Sequence, residues 1–231
     1  MARIDKGALT KLEIITEATK QYLEKGYSHT TVSAIAKGLG MSQGNLTFHF
    51  PTKEHLLAIL VDMLCAFQWK RMEQEADDGV ISIMAFCLEL TAMASACESD
   101  EIIKDFFISS YVSPLCLDII RKNDTKRAKE IFGAYNPDWT DEQFAVTEIL
   151  VSGIEYATLM VAGDTVPLET RISGALNGIL AIYGVPEEIR KTKIQKVFDL
   201  DYMGLGKSVL EEFKEYVAQS NDQAFYELVK R

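Results

Sequence analysis

The sequence predicts an all-α protein in which a small N-terminal helix-turn-helix domain of three helices precedes a larger helical domain. Apolar residues recur at helical spacing along nearly all of the 231 residues, and no segment shows the sustained alternation of a strand. Near the N-terminus, two short helical segments are separated by glycine, and longer, more apolar segments follow them. The predicted domains are residues 1–52 and 53–231, linked by a long helix over 52–75.

The first predicted helix is an apolar stripe that runs from Leu9 to Leu23. It ends at Gly26, a residue type that often stops helices. A second, short helix is predicted to begin after Thr31, whose hydroxyl can cap its N-terminus, and to end near Lys37.

A turn and a third short helix follow. Gly40 lies where the chain needs a left-handed or tight conformation, and Ser42 can cap a helix that ends near His49. Pro51 then opens the long helix over 52–75. Two short helices joined by a glycine-containing turn form a helix-turn-helix pattern.

The rest of the chain contains longer helical segments separated by Gly, Pro, Asn and Asp. The predicted helices span residues 80–97, 101–112, 115–135, 141–162, 168–183, 187–198, 205–219 and 222–231.

The charge is unevenly distributed along the chain. The net charge is -10, but the residues through Met72 include nine basic and six acidic side chains, which leaves -13 for the remainder. A basic end on an acidic body is expected when only that end meets a polyanion, although a solvated surface gives the same bias.

Composition excludes several classes of protein. No apolar run reaches the roughly 18 residues of a membrane-spanning helix, and the N-terminus lacks the apolar segment of a secretory signal. The four cysteines form no CxxC pair, which favours a reducing cytoplasm over disulfides or a zinc site. All three histidines lie in the first quarter, so no histidine-rich metal centre is expected elsewhere, and no cofactor is predicted.

The third short helix is the candidate DNA-reading element. In a helix-turn-helix the second helix enters the major groove, with its N-terminal residues facing the bases. Here those residues are short and polar, and Gln43 and Asn45 can form paired hydrogen bonds with adenine. Leu46, Phe48 and Phe50 are predicted to pack back onto the first helix. Any amphipathic surface helix shares this pattern, so the pattern alone leaves both readings open.

Residues 9–60 resemble the DNA-binding domain of TetR-type transcriptional regulators. The resemblance rests on a Gly-aromatic pair at Gly26 and Tyr27, a Thr-Thr-Val-x-x-Ile-Ala run over 30–36, and the stretch LTFHFPTKEHL over 46–56. The family implies a helical effector-binding and dimerisation domain after the DNA-binding one. It therefore implies a ligand-responsive regulator, most simply a repressor, that binds operator DNA as a homodimer.

The resemblance also implies roles for single residues. Thr31 and Lys53 match positions that contact phosphates, and His49 matches a backbone contact; without DNA these would be a helix cap, a solvated lysine and a helix-end histidine. The positions expected to set sequence preference are Ser33, Ser42, Gln43, Asn45 and Thr47. The family usually has tyrosine where this chain has Thr47, and threonine reaches less far.

The later helices supply candidate dimer-interface residues. Gly153 and Ala157 lie one turn apart in the segment 141–162, and Gly174, Gly178 and Ala181 recur at three-to-four spacing in 168–183. Small residues at this spacing let helices approach closely, either between two copies or within one chain.

Bulky and soft side chains of the middle helices are candidates to line an effector pocket, although each could simply fill the core. They are Phe67, Met72, Phe86, Met93, Phe106, Phe107, Tyr111, Trp139, Tyr156 and Met160. Glu89 and Glu155 interrupt apolar runs and are expected to be exposed, because burying an unpaired carboxylate is costly. If either lines the pocket, it implies a cationic or amine-bearing effector.

Two alternatives to an effector-binding regulator follow from the sequence. An enzyme is disfavoured because no GxSxG, P-loop, GxGxxG, HExxH or helical Glu-x-x-His pair is present. A thiol-based redox sensor of the same fold is possible, but the cysteines lie in apolar stretches without a neighbouring base, which favours buried, inert thiols.

Overall fold

In the computed structural model, residues 5–74, 82–161 and 166–230 are described, with the backbone alone for residues 72–74, 229 and 230. Within these ranges the chain forms eleven α-helices and one 3₁₀ turn, and no strand. The predicted all-α class is confirmed.

The first four helices follow the predicted order. They are α1 (Lys6–Lys25), α2 (Val32–Gly38), α3 (Gln43–His49) and α4 (Lys53–Gln74). Both predicted caps form: the Thr31 side chain accepts from the backbone N–H of Ala34, and the Ser42 side chain accepts from that of Asn45. Gly40 in the turn between α2 and α3 has a φ of 64°, the left-handed conformation that the turn was predicted to need.

The N-terminal helices share a small apolar core. Ile14 and Tyr22 of α1, Ile35 of α2 and Leu46 of α3 are all completely buried. Burial of each of the three aliphatic side chains stabilises the fold by roughly 1.5–3 kcal/mol relative to an exposed position. This burial fixes which side of α3 faces inward, and therefore which side faces solvent.

The remaining helices form the larger domain. They are α5 (Ile83–Ser99), α6 (Glu101–Val112), α7 (Pro114–Phe132), α8 (Asp141–Met160), α9 (Leu168–Ile182), α10 (Glu187–Phe198) and α11 (Tyr202–Lys230), with the 3₁₀ turn Gly133–Tyr135 after α7. The two segments predicted at 205–219 and 222–231 are thus one continuous helix. Residues 80 and 81, predicted as helix, lie outside the described residues.

Helix α5 lies at the centre of the larger domain and packs against α6, α8, α9, α10 and α11. Aromatic rings also stack inside this domain. Phe132 of α7 lies parallel to Tyr183, which follows α9, with ring centroids 4.1 Å apart. None of the described helices is both long and apolar enough to cross a membrane.

Two polar contacts join the N-terminal helices to the larger domain. The Asp105 carboxylate of α6 accepts from the backbone N–H of Ser28 at 2.8 Å and also from its hydroxyl. Asn221 of α11 donates from its amide to the Thr19 hydroxyl of α1 at 3.2 Å. The N-terminal domain is therefore held by α6 and α11 as well as by the covalent link to α4.

Candidate nucleic-acid interface and ligand cavity

The outward side of α3 carries exposed polar side chains. Ser42, Gln43 and Asn45 are exposed, whereas Leu46 is completely buried. Because Leu46 anchors the helix and Ser42 caps it, this polar surface is presented in one fixed orientation. Its short polar side chains suit the donor and acceptor pattern of base edges in the major groove.

Thr47 uses its hydroxyl within α3. The hydroxyl lies 3.1 Å from the Gln43 carbonyl and 3.2 Å from the Gly44 carbonyl, so its proton is donated to the helix backbone. Its oxygen can still accept a hydrogen bond from an external donor. Thr47 is therefore better suited to accept from a base amino group than to donate to a phosphate.

Phe48 was predicted to pack inward, and that prediction is wrong, because its side chain is 82% exposed. Its ring lies edge-to-face with the half-buried His49, at a centroid distance of 5.2 Å. Phe48 is two residues from Leu46, which places it about 200° around the helix from that buried residue. This spacing could have identified Phe48 as an outward-facing residue.

Lys53 is engaged within the chain and is not a solvated lysine. Its ammonium donates to the backbone carbonyls of Tyr27 at 3.0 Å and Thr30 at 3.2 Å, and it lies 4.0 Å from the centre of the Tyr27 ring. Partial burial lowers the pKa of Lys53, while Asp105 and Glu54 oppose that shift. These bonds hold the turn that leads into α2.

Two residues of the predicted interface, Thr31 and Ser33, lie at the N-terminal end of α2. Thr31 and Ser33 are both exposed, and the Thr31 oxygen accepts from the Ala34 N–H at 3.1 Å. The Thr31 hydroxyl proton is not consumed by that cap and can be donated to an anion. The cap role of Thr31 is therefore compatible with a phosphate contact.

A largely apolar cavity, partly open to solvent, lies between α4, α5, α6 and α11. Several of the predicted pocket residues line it, among them Phe67, Glu89, Met93 and Phe107. Phe86 and Glu155 line a second, smaller cavity. Tyr111 donates to Glu155 and its ring packs 6.3 Å from that of Tyr156, while the Met72 side chain lies outside the described residues.

The other aromatic and methionine candidates are distributed differently. Phe106 also lines the larger cavity. Trp139 packs against Phe144 and Tyr183 in the aromatic stack, and Met160 is 45% exposed on α8.

Sequence reasoning missed one wall of the larger cavity. Helix α11 contributes Gly206, Val209, Leu210 and Phe213, and α4 contributes the polar residues Gln68 and Arg71. The apolar spacing of the segment 205–219 was a signal for a buried face, but it did not reveal which partner that face meets.

Glu89 and Glu155 were predicted to be exposed, and both are buried or nearly so. The Glu89 side chain is 16% exposed and forms an ion pair with Arg127, which is 5% exposed. Glu155 is 7% exposed and accepts from the Tyr111 hydroxyl at 2.8 Å. Both carboxylates escape the cost of unpaired burial because each has a specific partner.

These carboxylates belong to a buried acidic cluster between α5, α7 and α8, which we define as Glu89, Asp124, Arg127, Glu148 and Glu155. Burial is the main cause that raises the pKa of Asp124 to about 6 and that of Glu148 to about 8. Burial and the neighbouring carboxylates also raise the pKa of Glu155 well above its usual range. Glu148 therefore favours its protonated form at neutral pH, which lowers the negative charge that Arg127 faces.

Helices α8 and α9 present an outer face of small and apolar side chains. This α8–α9 face consists of Val146, Ile149, Leu150, Gly153, Ala157, Gly174, Gly178 and Ala181. Val146, Ile149 and Leu150 are each more than half exposed. A Cβ atom added at Gly153, Gly174 or Gly178 would meet no atom within 4 Å, so packing within the chain does not require these glycines.

The cysteines have the environment predicted for inert thiols. Cys65, Cys87, Cys97 and Cys116 are all free and buried. Burial raises the pKa of each, to about 12 for Cys87 and Cys97. Because the thiolate is the reactive form, this arrangement disfavours redox sensing. The described residues contain no group of three or more His, Cys, Asp or Glu suited to a metal ion.

Comparison with known proteins gives one informative match. Residues 14–60 match the family described as bacterial regulatory proteins, tetR family. The solved structure of the TetR family protein CprB from S. coelicolor A3(2) is similar with a TM-score of 0.42 and 18% sequence identity, over 90% of this chain and 100% of that one. No curated protein matches the sequence.

Proposed function

We propose that this chain, whose residues 14–60 match the tetR family of bacterial regulatory proteins, is a DNA-binding transcriptional regulator. Under this proposal it is a homodimeric repressor that a small molecule releases from its operator. The observation that carries the proposal is the exposed polar surface of α3, fixed by the Ser42 cap on one side and buried Leu46 on the other.

Under this proposal the DNA contacts divide by role. The base-reading residues are Ser33, Ser42, Gln43, Asn45 and Thr47. Thr31 and His49 contact the phosphate backbone. Lys53 keeps one N–H for a phosphate and uses the others to hold the turn before α2. We add Phe48 to the interface, because an exposed ring beside the reading helix can contact a thymine methyl group or a sugar.

The α8–α9 face is the proposed dimer interface. It combines exposed aliphatic side chains with glycines that have no packing role inside the chain. A second copy related by a two-fold axis would form a four-helix bundle with it, and the glycines would allow close approach of the helices. Such a dimer presents two α3 helices to two half-sites.

The larger cavity is the proposed effector site. Its wall includes Phe67 of α4, and Phe67 is 14 residues from Lys53 at the N-terminal end of that helix. At 1.5 Å per residue the separation is about 21 Å, so a small tilt of α4 displaces the DNA-binding end by several ångströms. Helix α6 supplies a second route, because Ile103, Phe106 and Phe107 line the cavity while Asp105 binds Ser28.

Selection of binding sites from random DNA duplexes tests the central claim. The purified chain should enrich a two-fold symmetric DNA sequence. The centres of its half-sites should be separated by one turn of the DNA helix, about 34 Å, or by a multiple of that distance. Gln43→Ala should enrich a different sequence, and Val146→Asp, which disrupts the proposed dimer interface, should enrich none. Enrichment of a single, asymmetric half-site by the unaltered chain would contradict the dimeric arrangement.

Truncation of Phe67 tests the coupling between cavity and DNA. Phe67→Ala should leave dimerisation intact and change the ratio of operator affinities with and without effector, because only that ratio measures coupling. Effectors can be found by screening compounds for operator release. An unchanged ratio in a folded variant would remove Phe67 from the route.

A further inference from the structure

Among the described residues that line the larger cavity, each charged side chain is paired with one of opposite sign. The charged residues of this described wall are Arg71 and Glu89. Arg71 forms an ion pair with Glu212 at 3.2 Å, and Glu89 forms one with the buried Arg127. Glu89 lines the cavity, as the expectation of a cationic effector required, but a cationic ligand would have to compete with Arg127 for it. The expectation of a cationic effector therefore does not follow from Glu89.

Gln68 is the polar group on this wall that remains suited to a ligand. Its side chain lies on α4 between the cavity and the acidic cluster, and the residue is only 9% exposed. Arg127 donates to the Gln68 side-chain oxygen at 3.2 Å. Because arginine is only a donor, this bond fixes which end of the amide is oxygen and which is nitrogen.

The Gln68 amide nitrogen therefore points away from Arg127. Among the described residues its hydrogen-bond partner is the Met93 sulfur at 3.6 Å, and Met93 also lines the cavity. A thioether is a weak acceptor, whereas the amide has two N–H groups to donate. A buried amide that meets only sulfur gains free energy when a stronger acceptor reaches it.

We propose that the cavity binds an uncharged, mainly apolar molecule that carries a hydrogen-bond acceptor such as a carbonyl oxygen, and that Gln68 Nε2 donates to this acceptor. The cavity side chains Leu64, Phe67, Phe106 and Phe213 enclose the apolar part, and flexible Met93 moves aside from the amide. This inference rests on the proposed function only in taking the same cavity as the effector site.

Four probes that share a phenyl ring and a short chain test the ligand class in the absence of DNA. They are butyrophenone with a carbonyl, butylbenzene without one, 4-phenylbutylamine with a positive charge and 4-phenylbutyrate with a negative charge. Each is titrated against the full chain by displacement of the neutral dye N-phenyl-1-naphthylamine. We expect both uncharged probes to bind more tightly than both charged ones.

Substitution of Gln68 separates the hydrogen bond from general apolar affinity. Gln68→Glu at pH 8 keeps an acceptor for Arg127 but removes the N–H donors, so it should weaken butyrophenone about tenfold and leave butylbenzene nearly unchanged. Gln68→Leu should give the same difference, and Met93→Leu, the matched control, should keep or strengthen butyrophenone binding. If Gln68→Leu does not fold, the comparison of butyrophenone with butylbenzene in Gln68→Glu still tests the hydrogen bond.

Three outcomes would overturn the inference: tighter binding of the amine than of the ketone, equal loss of both uncharged probes in Gln68→Glu, or no binding of any probe by a folded chain. The proposed function is tested separately by DNA binding. If butyrophenone binds through Gln68 but no cavity ligand found by screening changes operator affinity, effector control fails while the ligand class stands.

Discussion

Replacement of Gly178 by leucine should separate dimerisation from the stability of the single chain. Gly178 lies on α9, partly exposed, and a Cβ atom there meets nothing within 4 Å in the chain itself. Glycine inside a helix is less favourable than leucine by up to about 1 kcal/mol. The isolated chain should therefore fold at least as stably after Gly178→Leu as before it.

The dimer should respond in the opposite direction. Adding a large side chain to a close helix contact typically costs about 1–3 kcal/mol, and a two-fold axis places the change in both copies. Dimerisation should then become less favourable by about 2–6 kcal/mol, the sum over the two copies. The dimer dissociation constant should rise between about 30-fold and about 20,000-fold.

Sedimentation equilibrium over a range of concentrations measures the dimer, and circular dichroism measures the fold. Gly133→Leu is the matched control, because Gly133 has helical backbone angles and equally open surroundings but lies outside the α8–α9 face. Operator affinity should fall for Gly178→Leu and not for Gly133→Leu. A Gly178→Leu chain that remains a dimer at low micromolar concentration would show that the interface lies elsewhere.

Four further predictions concern DNA contact, coupling and pH. Lys53→Ala should weaken binding to all sequences alike and lower the melting temperature, whereas Gln43→Ala should change the preferred sequence; parallel losses on every operator variant would refute this division. Phe48→Ala should weaken operator binding without lowering the melting temperature, because the ring is exposed. Asp105→Asn should change the ratio of operator affinities with and without effector while the dimer persists, as judged by fluorescence anisotropy and light scattering. Glu148 has a pKa of about 8 in the folded chain and a lower pKa in the unfolded chain, so between these values the folded chain holds one extra proton. The free energy of unfolding should therefore fall as pH rises from about 5 to about 8. For this group the fall is up to about 1.4 kcal/mol per pH unit. Urea titrations should show a shallower slope for Glu148→Gln, and an identical slope would assign the pH dependence to other groups.

Local signals explain why the N-terminal helices could be predicted closely. Caps and turns depend on residues a few positions apart, so Thr31, Ser42 and Gly40 identified their own roles from the sequence. The misplaced Phe48 came from treating every apolar residue of α3 as core. Its spacing from Leu46 indicated the opposite side of the helix.

Helix α11 shows where local propensity fails. Ser220, Asn221 and Asp222 are weak helix formers, and they suggested a break between two helices. In the fold Asn221 is buried and bonded to Thr19, so a tertiary contact stabilises the helix through this point. No pattern within the segment indicates a partner that lies 202 positions away.

The ligand cavity could be predicted only in part for the same reason. Aromatic and methionine side chains of α4, α5 and α6 were identifiable from their types. The charge of the cavity wall could not be predicted from the sequence. It depends on Arg127, which neutralises Glu89 from a position 38 residues later in the chain. The orientation of Gln68 depends on the same arginine.

The bond between Thr19 and Asn221 has a consequence for biosynthesis. A ribosome adds about 5–20 residues per second, so Asn221 follows Thr19 by about 10–40 s. During that interval α1 lacks the helix that packs against it in the finished protein. We therefore expect nascent chains to acquire a firmly docked N-terminal domain only after Asn221 has been synthesised, which limits occupation of DNA by unfinished copies.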